Sequence, residues 1–206
     1  MESKVLTILF TDMKGFTENS GSRTRQEVLD LVRRHDDLLR PIIVRFGGRV
    51  VKTIGDAFLA GFESPTNAVL CGLLMQATLR AHNAGAADGQ RIEVRVAINA
   101  GEVQITPDDV FGEPVNVAAR INAITEPGEV YFTHAVYLAM NRTEVPSSEV
   151  GERILKGVAE PIRVYRLIQD DASDQYRRVL ESIRGQSYEP AAEEKRAHIG
   201  LRPRSR

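Results

Sequence analysis

The run KVLTILF, Lys4 to Phe10, is rich in β-formers and carries apolar residues at odd and even positions alike. A strand sends successive side chains to opposite faces, so a run apolar on both faces belongs at the centre of a sheet covered on two sides. That requirement asks the rest of the chain for flanking strands and covering layers. The chain offers them in alternation, with no internal repeat. TRQEVLDLVRRHDDLLRPIIVRF places Val28, Leu31, Val32, Leu38, Leu39, Ile42 and Ile43 near helical spacing, with Pro41 expected to kink the helix or break it briefly. GGRVVKTIGDAFLAGF reads as two short β runs about a Gly-containing turn, a hairpin. SPTNAVLCGLLMQATLRAHNAG is a helix with Ser64 as N-cap, Pro65 at its first position and Gly85 near its end.

Further on, IEVRVAINAGEVQI reads as strand, turn, strand, and GEPVNVAARINAIT as a short helix opened by Pro114. EVYFT, HAVYLAM and IRVYRLI complete a mixed α/β domain near Ile168. In DQYRRVLESI the apolar Tyr176, Val179, Leu180 and Ile183 allow either a cover for a groove on the core or the start of a linker, and the linker is preferred. The remainder, GQSYEPAAEEKRAHIGLRPRSR, is polar and expected to be disordered.

With 206 residues, 42% of them hydrophobic and 27% charged, the chain suits one sizeable globular domain with an appendage. The 27 basic and 28 acidic residues leave a formal net charge of -1, so composition points to no nucleic acid and no membrane surface as a partner. The lone Cys71, inside the apolar run AVLCGLLM, excludes an intramolecular disulfide and fits a buried thiol in a reducing compartment. No stretch approaches about 18 uninterrupted apolar residues and no leader pattern precedes the first strand, so the chain is expected to be cytoplasmic with no membrane segment. His35, His82, His134 and His198 show no metal spacing and read as ordinary helix or surface residues.

The chemistry-bearing positions gain meaning by association. Asp12, at the end of the first strand in LFTDMKGFT, is by itself an ordinary loop cap. Asp56 sits at the hairpin turn in KTIGDAF, and two strand-end carboxylates on adjacent strands suit hard divalent cations that share their shell with substrate phosphates. Gly15 adds backbone N–H groups able to meet phosphate oxygens. Asn116 and Arg120 are four apart on a short helix and share a face, with Val117, Ile121 and Ile124 on the other side. That pair is either an ordinary solvated one or an arginine presented to charge developing on a phosphoryl group. Lys52 invites its own plain reading: across a three-residue loop it would face Asp56 in a cross-strand ion pair.

In order along the chain, LFTDMKGFT, GGRVVKTIGDAFLA, VRVAINAGEV and DVFGEPVNVAARI resemble the catalytic domain of class III nucleotidyl cyclases, from about Val5 to Leu167. The resemblance implies a ferredoxin-like βαββαβ core with additional C-terminal strands and helices, occupying residues 1–168 and followed by a C-terminal extension over 169–206. It implies a homodimer with shared active sites that converts a nucleoside triphosphate into a 3',5'-cyclic nucleotide and pyrophosphate. By position, Asp12, Asp56 and the backbone of Met13 match the metal site, with two Mg²⁺ or Mn²⁺ ions as cofactors. Asn116 matches the ribose-orienting asparagine and Arg120 the arginine that stabilises the transition state. Arg95 and Lys156 match basic positions that hold the triphosphate, and Gly15 and Phe16 fall in the loop that closes over it.

Lys52 and Asp109 match the pair by which adenylate cyclases recognise adenine, where a guanylate cyclase shows glutamate and cysteine, so ATP is the expected substrate. Asp108 adjoins Asp109, and the DVFG spacing selects Asp109. Two alternatives accompany this reading: a nucleotide-binding module without turnover, and a cyclase for GTP or a pyrimidine nucleotide. The sequence departs from the family pattern at AINAG, where a Gly-Ile-His-Thr-Gly type of strand is more usual, and the connection from Gly101 to Asp109 is short. Nothing ahead of Val5 reads as a sensor, which places regulation in trans, in the tail or outside this chain.

Overall fold

In the computed structural model the described residues are 2–16, 24–87 and 89–185. The disorder expected beyond Gly185, and His198 with it, lies outside them. β1 (Glu2–Met13) is the inner strand that its two-sided apolar pattern requires, antiparallel to β3 (Ala57–Phe62) on one side and to β4 (Val94–Ile105) on the other. With β2 (Arg49–Ile54), β5 (Val110–Phe111), β6 (Val130–Thr133), β7 (Ser147–Arg153) and β8 (Ile162–Leu167) it forms an eight-stranded sheet. The order is β2-β3-β1-β4-β6-β8-β7, and β5 pairs with β4. The helices are α1 (Arg25–Arg45), α2 (Pro65–Ala84), α3 (Glu113–Ile124), α4 (His134–Ala139) and α5 (Asp174–Gly185). The succession β1-α1-β2-β3-α2-β4, with neighbours in the order β2-β3-β1-β4, is the expected ferredoxin-like core.

The two faces of β1 bury against different layers. Leu9 and Met13 join Phe58, Phe62, Val96 and Ile98 in the core roofed by α1 and α2, while Ile8 packs with Leu59, Val103, Val110 and Ala118 beneath α3 and β5. α1 begins at Thr24, whose side chain accepts from the Glu27 amide while the Glu27 carboxylate accepts from the Thr24 amide. It runs unbroken to Arg45 with Pro41 inside, so the expected break is absent. The helix buries Leu39, Ile42 and Ile43 on both sides of the proline, and that packing outweighs one lost backbone donor.

Residues 94–105 form one continuous strand and not the expected strand, turn and strand. Gly101 serves close approach: a Cβ there would lie 2.6 Å from the Pro114 ring, so the glycine lets the start of α3 sit against β4. β7 has no counterpart in the sequence reading, because SSEVGER lacks an apolar alternation; it is an edge strand held by its ladder with β8. The preference for a linker at DQYRRVLESI is also overturned. α5 docks on the core with Tyr176, Leu180 and Ile183 buried, the Tyr176 hydroxyl bonded by Arg80 and the Ile183 carbonyl by Arg45.

Candidate active site

Two carboxylates meet where β1 ends beside the β2–β3 hairpin. The hairpin turns through Gly55 and Asp56, with Gly55 at φ 63°, a left-handed conformation that favours glycine. The turn folds Asp56 inward to 8% exposure, and its Oδ2 accepts from the Met13 amide at 2.9 Å. Burial pushes the Asp56 carboxyl above its ordinary range; the backbone N–H groups of Asp56 and Met13 oppose the shift, and the nearby charge of Asp12 adds to it. Asp12 is half-buried, and its Oδ2 accepts from Arg95 Nη1 at 3.0 Å across the register pair Asp12–Arg95 of β1 and β4.

A desolvated carboxylate beside a second acid is a donor set that fits a hard divalent cation. Among the described residues there is no group of three or more His, Cys, Asp or Glu side chains able to hold a metal alone. One or two carboxylates completed by substrate phosphates is the manner of Mg²⁺. After Met13 the chain turns through Gly15, at φ 68°, to the half-buried Phe16, which packs on the main core. The Lys14 amide donates to the Glu93 carbonyl at 2.8 Å and anchors the start of this loop.

Lys52 does not face Asp56. The hairpin register pairs Lys52 with Leu59, with an irregularity between Val50 and Lys52, and the turn is one residue tighter than expected, so the plain ion-pair reading fails on geometry. The carboxylate that Lys52 reaches is Asp109, with Nζ 2.6 Å from Oδ2, while Asp109 Oδ1 accepts from the Val110 amide at 2.8 Å. The Lys52 ammonium beside it holds the Asp109 carboxyl below its ordinary range. Asp108, the neighbour, is exposed. Phe111, 52% exposed, lies under the Lys52 ammonium at 5.9 Å from ring centroid to Nζ. The structure thus brings together two residues that are 57 positions apart in sequence.

α3 presents the remaining pair. Asn116 and Arg120 are exposed on one face of the helix, and the Arg120 guanidinium meets no carboxylate among the described residues. The buried face is Val117, Ala118, Ile121 and Asn122; Ile124, expected on that face, is instead 37% exposed, because the helix ends there and its last inward position is Asn122. Lys156 is exposed in the loop joining β7 to β8. Sequence reasoning passed over two buried asparagines, Asn99 and Asn122, whose one visible signal was a polar residue inside an otherwise apolar stretch. It also placed His35 among ordinary helix or surface residues, whereas His35 is 1% exposed and stacked on Phe58 at 4.9 Å. Among the described residues no helix is long and apolar enough to cross a membrane.

A family model described as the adenylate and guanylate cyclase catalytic domain matches residues 2–169. The serine/threonine-protein kinase pkn2 of Myxococcus xanthus is 43% identical over 161 residues, which are 78% of this chain and 19% of that protein. Putative adenylate cyclase 3 of Rhizobium meliloti is 29% identical over 163 residues, 79% of this chain and 28% of its own length. The chain therefore spans less than a third of these relatives. Among solved structures, an adenylate/guanylate cyclase/hydrolase from Silicibacter pomeroyi superposes with a TM-score of 0.74 at 33% identity, covering 82% of this chain and 99% of that one.

Proposed function

The chain belongs to the adenylate and guanylate cyclase catalytic domain family, and from that membership we propose that it converts ATP to 3',5'-cyclic AMP and pyrophosphate at sites shared by two copies. The observation that carries the choice of ATP is the Lys52–Asp109 pair at 2.6 Å. Adenine presents an acceptor at N1 beside a donor at its exocyclic amine. Lys52 has two further N–H donors once Asp109 has taken one, and Asp109, held ionised, accepts from the amine. Guanine reverses that order, leaving a donor against a donor and an acceptor against an acceptor.

Asp12, Asp56 and the backbone of Met13 would hold two divalent cations, Mg²⁺ or Mn²⁺. When bound, these supply a more acidic ribose 3'-hydroxyl and neutralisation of the triphosphate. The chain's own residues position and balance charge. Asn116 orients the ribose, and Arg120 sets its planar guanidinium against the charge that grows at the α-phosphate. The 3'-oxygen bonds to the α-phosphorus as the bond to the β-phosphate bridging oxygen breaks; the hydroxyl proton leaves to solvent and pyrophosphate carries away the electron pair. Arg95, beside Asp12, and Lys156 hold the triphosphate, with Gly15 and Phe16 closing over it. Sharing between copies is supported by the exposure of Asn116 and Arg120 and by apolar Ile54 and Phe111, 50% and 52% exposed, around the same region.

The test is a product assay with Mn²⁺ and ATP, GTP, CTP and UTP supplied separately. Cyclic AMP with pyrophosphate is expected from ATP, and Asp12→Ala and Arg120→Ala each lose at least about a hundredfold. Preference for GTP overturns the base assignment; no cyclic product from any nucleotide at high protein concentration overturns the enzyme.

A further inference from the structure

α3 is pinned to the sheet at both ends by a buried asparagine. Asn99 on β4, 6% exposed, donates through Nδ2 to the Pro114 carbonyl at 3.1 Å, and its Oδ1 accepts from the Thr133 hydroxyl at 2.7 Å. Asn122 in the last turn of α3, 4% exposed, donates through Nδ2 to the carbonyls of Phe10 and Arg95 at 3.3 Å each. Asn116 and Arg120 stand between these two pins. The helix has no side-chain cap at Gly112, and Asn99 ties its first turn to β4 through the Pro114 carbonyl.

An apolar residue at position 122 would continue the stripe of Val117, Ala118 and Ile121 without desolvating an amide. What the amide adds is direction: hydrogen bonds to two strand carbonyls fix the helix along its axis and in rotation, where apolar contact alone permits sliding. The place of attachment is equally specific. Arg95 is the register partner of Asp12, and Phe10 lies two residues before it on β1. The AINAG departure from the family pattern thereby acquires a role, since its asparagine is the first pin.

We infer that Asn99 and Asn122 are positioning residues that set Asn116 and Arg120 at the height and rotation the transition state requires. The inference rests on the proposed reading, in which α3 of one copy serves the carboxylates of the other. Asn99→Ala and Asn122→Ala are each expected to lower kcat about tenfold to a hundredfold, the scale of a misplacement near 1 Å, with KM changed by less than about threefold because Lys52 and Asp109 lie off α3.

A purely structural role is separated by mixing. When Asp56→Ala and Arg120→Ala chains are combined, the one intact site takes its α3 from the Asp56→Ala chain and its carboxylates from the Arg120→Ala chain. Asn122→Ala added to the Asp56→Ala chain should cut the restored rate about tenfold or more, whereas added to the Arg120→Ala chain it should leave the rate within about twofold. Equal loss from both placements overturns the inference while the active parental mixture upholds the shared site. A parental mixture that stays inactive while subunits exchange overturns the shared-site reading and the inference together. If Asn122→Ala does not fold, Asn122→Leu, which continues the apolar stripe and loses the donor, or Asn99→Ala is placed in the same two chains for the same comparison.

Discussion

At Asp109 the Lys52 ammonium moves the carboxyl further below its ordinary range, and an ionised carboxylate can only accept. On the proposed reading, exchanging both polarities should exchange the base. Lys52→Glu with Asp109→Cys is expected to shift the ratio of cyclic AMP to cyclic GMP formed from equal ATP and GTP by about tenfold or more toward GTP; an unchanged ratio removes the pair from base choice. His35 is shifted in the same direction, which for a histidine favours the neutral form. Burial, with Arg40 nearby and against the weaker pull of Asp36, pushes its imidazole down to about 4. The unfolded chain, with histidine near 6.5, therefore binds the extra proton first, and stability that is full above about pH 6.5 declines toward pH 4 by at most about 1.4 kcal/mol per unit. Thermal unfolding across that window, compared with His35→Gln, should show a steeper acid decline in the wild type. Parallel profiles would remove His35 as the cause.

Elements differ in how far their own residues settle them. α2 carries its boundaries locally, with the Ser64 side chain accepting from the Asn67 amide and Pro65 in the first turn, and it lies where the sequence places it. α5 could not be placed that way, since an amphipathic stripe states that a helix has an apolar face and not what covers it. In the fold, Leu180 and Ile183 are buried with Tyr176 against the core. Leu180→Ala should therefore cost about 2 to 4 kcal/mol in denaturant unfolding; a change under about 0.5 kcal/mol, as expected for an undocked segment, would contradict this packing. β4 shows the reverse error. A glycine inside an apolar run looks like a turn until the proline that crowds against it is known.

For the whole molecule the decisive quantity is association. If each site draws carboxylates from one copy and α3 from another, a lone chain holds two half-sites and no complete one. Activity per chain should then fall as the protein is diluted from about 10 µM to about 10 nM, in step with the dimer fraction measured by sedimentation or mass photometry. A constant rate per chain after dissociation would place the full site within one copy.

From the sequence alone, the central place of β1, the Gly-containing hairpin and the capped α2 follow from local patterns, and the ferredoxin-like core follows from what the four ordered motifs resemble. The same resemblance singled out Asp12, Asp56, Asn116 and Arg120; the period of the helix put the last two on one face, while position alone left Asp12 an ordinary loop cap. Only the tertiary structure decided that Lys52 meets Asp109 and not Asp56, that Arg95 sits on Asp12, and that Asn99 and Asn122 fasten α3. Each of these is a contact between elements distant in sequence, fixed by strand register and helix placement; a one-residue change of register would send the side chains to the opposite face. Such contacts leave no periodic trace along the chain, and they decide which charges face one another at the site.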